Sequence, residues 1–254
     1  MTECVTLSVE NGVALMTLDR PESLNALSKA MMKALEERID ALAEMPELRV
    51  VILTATGRGF CAGGDLKEFE EELHRDKRQL LATLSYNQGV IAKLENLPVP
   101  VIAAVNGVAV AGGLELLLAC DLIVAAAGAK MGDGHAKYAI VPAGGATVRL
   151  AEKVSPARAA ELFYTAKLVD AETMAEWGLV NEVVSRERVL PRAREIAAEI
   201  CSANPSAIRH IKQLTRPCNR LVERSIRLEV EIEHFRQHLD GPDMANGLAA
   251  FRGK

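Results

Sequence analysis

Two segments of this chain share one order: an aliphatic run, a glycine-rich turn, then a helical pattern. RVVILTA (49–55) leads into GFCAGGDLKEF (59–69), and PVIAAVN (100–106) leads through GVAVAGG into GLELLLACD. A continuous apolar run of this length with β-branched residues is the mark of a strand buried on both faces. DLIVAAA (121–127) is a third such run. Strands alternating with helices predict crossover units and a parallel sheet, hence an α/β fold. Aromatic residues are only 4% of the chain and hydrophobic residues 49%. The core is therefore expected from Ala, Leu, Val and Ile, which allows close helix–strand packing.

Ahead of these units, CVTLSV and GVALMTL flank Asn11-Gly12, the signature of a hairpin. LDRPESLNALS (18–28) is expected as a loop. The next helix sets Met31, Leu35, Ile39 and Leu42 on one face, and a long amphipathic helix is expected over 77–97. After residue 145 the pattern predicts an all-helical C-terminal third, with helices over 155–166, 170–178, 187–202, 205–215, 219–239 and 243–252.

The net charge is −4 and no long basic run occurs, so no nucleic-acid partner is expected. Apolar runs are broken by glycine or polar residues, and neither a membrane span nor a signal peptide is expected. Five scattered cysteines without a C-x-x-C pair argue against a disulfide framework and a zinc site. They lead to the expectation of a cytoplasmic protein with no metal.

Both glycine loops offer backbone N–H groups at the start of a helical pattern. Two such loops can aim one N–H each at a single oxygen, forming an oxyanion hole. Packing is the alternative use of such turns, and no phosphate-loop motif is present. Glu115 follows Gly112 by three residues, among Leu114, Leu116, Leu117 and Leu118. It is either a helix-start charge or a desolvated carboxyl group able to hold a proton near neutral pH.

At these residues the sequence resembles the crotonase superfamily, the enoyl-CoA hydratase/isomerase family. LDRPESLNALS (18–28), VVILTATGRGFCAGGDLKEF (50–69), PVIAAVNGVAVAGGLELLLACDLIVAA (100–126), VPAGGATVRL (141–150) and FYTAKLVDAETMAEWGLVNEVV (163–184) carry the likeness, in order, across nearly the whole chain. The resemblance implies a spiral of ββα units over residues 1–195, with an acyl-CoA site. It also implies a C-terminal helical region over 196–254 that serves assembly or acts as a lid, in a homotrimer or a hexamer of paired trimers. Coenzyme A enters as part of the substrate, and no separate cofactor is implied.

Position by position, Gly64 and Gly112 match the oxyanion-hole donors. Leu24, Ala26, Ala62, Asp65, Leu66 and Lys67 match segments that line coenzyme A; for Lys67 a solvated helix-start role is the alternative. Glu115 matches the first of two catalytic glutamates in the hydratases. The second position holds His135 instead, within MGDGHAKYAIVP. An imidazole can serve as acid or base, so hydration of a 2-enoyl-CoA by Glu115 with His135 is the leading expectation: a lyase of fatty acid metabolism. Isomerisation, thioester or C–C hydrolysis, or a weakly active acyl-CoA-binding subunit are the alternatives. His135 otherwise stands as a loop residue, Asp133 either orients it or caps a turn, and Tyr138 either joins the site or packs. The acyl-pocket wall is expected from the helix over 77–97 and the C-terminal helices.

Overall fold

The computed structural model describes residues 3–215, together with the isolated positions 225, 226, 229, 232 and 236. β1 (Val5–Glu10) and β2 (Val13–Leu18) form the expected hairpin. Asn11 and Gly12 both take positive φ, as a two-residue hairpin turn requires. α1 (Lys29–Ala43) is capped by Ser28, whose side chain accepts the Met31 N–H, and it buries the predicted Met31, Leu35, Ile39 and Leu42.

The chain then repeats a pair of strands three times. β3 (Val50–Ala55) precedes β4 (Gly59–Cys61), β5 (Val101–Val105) precedes β6 (Val108–Val110), and β7 (Leu122–Ala126) precedes β8 (Lys130–Gly132). α2 (Leu66–Arg75) and α3 (Lys77–Asn96) follow the first pair, and α4 (Gly112–Leu118) follows the second. After the third pair come α5 (Ala146–Lys153), α6 (Pro156–Thr165), β9 (Val169–Asp170) and α7 (Ala171–Glu176). β10 (Glu182–Val184), α8 (Val189–Ser202) and α9 (Pro205–Thr215) complete the described elements.

The first member of each pair enters one sheet, of order β1-β2-β3-β5-β7-β10. The second enters a smaller one, of order β4-β6-β8-β9. Every pairing is parallel except β1/β2 and β8/β9. This is the turn-by-turn ββα winding expected of the chain. β3 and β5 are buried at every residue, which accounts for their aliphatic sequence, interrupted only by Thr54, whose hydroxyl donates to Ala104 O at 3.0 Å.

Two expectations are corrected. The glycine loops after β3 and β5 contain the three-residue strands of the second sheet, too short to show a period-two pattern. The C-terminal third is not all helical, because β9 and β10 join the two sheets, β10 pairing in parallel with β7. α2 was hidden by its charge: LKEFEEELHR looks polar, yet Leu66, Phe69 and Leu73 share one face.

The 195/196 boundary falls inside α8, whose Val189, Ala193 and Ala197 all sit in the main core. The helices expected over 219–239 and 243–252 lie outside the described residues, apart from isolated helical positions such as Ile232. Among the described residues, no helix is long and apolar enough to cross a membrane.

Candidate active site

The two glycine loops meet. Residues 24–27 run beside residues 62–65: Leu24 O accepts the Ala62 N–H at 3.0 Å, and Gly63 O accepts the Leu27 N–H at 2.8 Å. α4 begins against this ribbon. A Cβ on Gly113 would stand 2.3 Å from Cys61 O, so only glycine lets the two loops approach this closely, and Gly112 beside it lies against Leu27 and the Gly64 nitrogen. Ala111 holds φ 51° and ψ −119°, a conformation that a residue with a Cβ rarely adopts. The Ala111 N–H is tied to Gly132 O of β8 at 3.1 Å. Among the described residues neither the Gly64 nor the Gly112 N–H donates to a protein acceptor, and both residues line one cavity of about 390 Å³.

Glu115 lies in the first turn of α4 and is 5% exposed. Its Oε1 accepts the Gly144 N–H at 2.8 Å and the Ala146 N–H at 3.2 Å. These donors belong to the turn that opens α5, where the helix dipole favours a carboxylate. Burial works the other way and is the largest influence, so the Glu115 carboxyl is held above the ordinary carboxylate range. His135 and the two N–H groups pull it down, and Asp133 pushes it up.

The turn that holds Glu115 is itself braced. Arg149, with a fully buried side chain, donates from Nη1 to Gly144 O at 2.8 Å and from Nε to Glu95 Oε2 at 3.0 Å. Gln88 Nε2 donates to Ala143 O at 3.2 Å.

Asp133 is 1% exposed and performs both of the tasks considered for it. Its Oδ2 accepts the His135 backbone N–H at 3.2 Å, capping the turn, while Oδ1 lies 2.8 Å from His135 Nδ1. A buried carboxylate in that position selects the tautomer with hydrogen on Nδ1. His135 faces the same cavity as Glu115, Gly64 and Gly112.

Of the residues singled out from the sequence, Ala62 and Leu66 also line the cavity, whereas Leu24, Ala26, Asp65 and Lys67 do not. Asp65 caps α2, accepting the Lys67 N–H at 3.3 Å, and Lys67 is exposed beside it. Tyr138 lines the cavity and packs in the cluster with Leu73, Leu80 and Ile140. The expected contribution of the long helix is present in Leu84, Asn87 and Ile91 of α3. Ile232 packs in that same cluster. Sequence reasoning missed Gly144, Ala146 and Arg149. The GG pair at 144–145 ahead of a helical pattern was the available signal.

Comparison with known proteins fits this architecture. The enoyl-CoA hydratase/isomerase family model matches residues 8–254. Crotonyl-CoA hydratase of Syntrophomonas wolfei is 32% identical over 99% of this chain and 96% of its own length. The mitochondrial methylglutaconyl-CoA hydratase of Mus musculus is 35% identical over 98% of this chain and 80% of its own. The crystal structure of an enoyl-CoA hydratase from Bacillus anthracis superposes with a TM-score of 0.81 at 33% identity, covering 98% of this chain and 96% of that one. The chain belongs to the enoyl-CoA hydratase/isomerase family.

Proposed function

We propose that this protein hydrates 2-enoyl-CoA thioesters with Glu115 and His135 as its acid/base pair. Its relatives, named as hydratases over their full length, make it a hydratase-type enzyme. One observation carries the assignment of residues. The only two backbone N–H groups singled out as oxyanion donors and both candidate proton carriers line one cavity. The Gly64 and Gly112 N–H groups receive the thioester oxygen, which gains charge as water adds. They therefore bind the transition state more tightly than the substrate.

Water adds its oxygen to C3, and a proton goes to C2. His135, with Nδ1 engaged by Asp133, takes the proton of water through Nε2. The buried Asp133 carboxylate stabilises the imidazolium that results. Glu115, whose carboxyl group burial pushes above the ordinary carboxylate range, gives its proton to C2. Return of the proton from His135 to Glu115 restores the pair, and the net change is addition of one water. Coenzyme A arrives on the substrate, so no separate cofactor takes part. Residues 24–27 and 62–67 bind its nucleotide and pantetheine portions. The protein works in the cytoplasm as a homotrimer or a hexamer of paired trimers, a reading supported by the family likeness and the cysteine pattern.

The test is a panel of enoyl-CoA and acyl-CoA esters read by product mass. Hydration adds one water, isomerisation leaves the mass unchanged, and hydrolysis releases a free acid. Binding without any product marks a non-catalytic subunit. A gain of one water supports this reading, and any other outcome overturns it.

A further inference from the structure

His135 and Lys137 sit on one 3-10 turn, His135–Tyr138, and both line the cavity. Among the described residues Lys137 is the only lysine or arginine that does so, and it is exposed rather than sealed in the protein. Its ammonium makes no hydrogen bond or ion pair with any described residue. The carboxylates that share the cavity are both engaged elsewhere. Glu115 accepts the Gly144 and Ala146 N–H groups, and Asp133 holds His135. Lys167, which precedes Leu168 of the cavity wall, differs in being paired with Glu161.

The proposed reaction sets what lies beside this turn. The water that His135 activates adds to C3, so C3 lies within one water of the His135 ring. Two residues of a 3-10 turn rise only about 4 Å, and a lysine side chain is longer than that. Atoms a short way beyond C3 are therefore within reach of the Lys137 ammonium. The phosphates of coenzyme A are held away from it by the pantetheine arm.

We infer that Lys137 is a specificity-determining residue and that the natural acyl group carries a carboxylate a short way beyond C3. The inference rests on the hydratase reading and deepens it. A carboxylate that enters a largely apolar cavity gives up water, and a charge-assisted partner offsets that loss. A chain ending in a methyl group gains nothing from the ammonium.

The experiment compares glutaconyl-CoA with pent-2-enoyl-CoA, which has the same chain ending in a methyl group. For the wild type, kcat/KM for glutaconyl-CoA exceeds that for pent-2-enoyl-CoA about tenfold or more, and added salt narrows the gap. Lys137→Met keeps the length of the side chain, removes the charge and lowers that ratio about tenfold or more. Most of the loss is a rise in KM, because the ion pair is made in the bound substrate as well as in the transition state. Lys137→Arg retains most of the ratio. Equal use of the two esters by the wild type overturns the inference and leaves the hydratase reading intact. An equal fall for both esters in Lys137→Met does the same, and would assign the lysine to the coenzyme A phosphates. A ratio lost as fully in Lys137→Arg as in Lys137→Met, or kept in both, also overturns it. Hydration of neither ester overturns both readings.

Discussion

The Gly144 backbone N–H lies 2.8 Å from Glu115 Oε1, and a Cβ on Gly144 would stand 2.2 Å from Glu115 Oε2. The same residue therefore holds one carboxyl oxygen and leaves room for the other. Gly144→Ala forces the carboxyl group to move. A displacement of about 1 Å in a reacting group can cost about 100-fold in rate. We expect a fall of that order in kcat/KM for crotonyl-CoA, with the fold retained by circular dichroism. A rate within threefold of wild type would mean that the carboxyl position does not matter.

The raised Glu115 carboxyl has a signature in stability. Its folded pKa lies above its unfolded value near 4.5, so the folded state binds more protons in that interval. The favourable contribution is fully present below the unfolded value and is lost as pH rises through the folded one. Glu115→Gln cannot ionise and does not suffer this loss. The Tm of the variant relative to wild type therefore climbs as pH increases from about 4.5 toward and through the raised value. Thermal melts across that range check it, and a pH-independent difference would contradict the burial argument.

Asp133 fixes the ring of His135. Asp133→Asn keeps the size but removes the charge that selects the Nδ1–H tautomer and stabilises the imidazolium. We expect kcat to fall about 100-fold, within the range for loss of acid/base catalysis, while KM changes little. Nitrogen NMR of the ring distinguishes this from a structural effect, because the proton leaves Nδ1 in a folded variant. An unchanged tautomer would remove Asp133 from the mechanism.

Arg149 acts at one remove, as a positioning residue. Its guanidinium ties Glu95 to the Gly144 carbonyl, behind the turn that holds Glu115. Arg149→Met breaks a largely buried pair and costs about 3 kcal/mol, the low end of the usual range because Glu95 reaches solvent. The kcat falls as well, and KM less so. Arg149→Lys recovers only part of either, since lysine lacks the planar fork. Chemical denaturation and steady-state kinetics on both variants test this.

The long strands β3, β5 and β7 were legible because burial on both faces writes a run of aliphatic residues, broken only at Thr54. β4, β6 and β8 were not, because strands of three residues carry no period. Glu115 stood out as a carboxylate amid leucines, and His135 with Asp133 as a close pair in the sequence. Gly144 showed only as one of a glycine pair ahead of a helical pattern. Its role exists because the turn that opens α5, distant in sequence, comes back to Glu115 of α4. Local pattern carries no trace of such a meeting.

The central claim, that Glu115 and His135 are the working acid/base pair, is tested most directly by hydration of crotonyl-CoA. Loss of the enoyl-thioester absorbance is followed for wild type, Glu115→Gln and His135→Ala. The account predicts steady hydration by wild type and a fall in kcat of about 100-fold to 10,000-fold in each variant, with the thioester still bound. Either variant hydrating within threefold of wild type would contradict it.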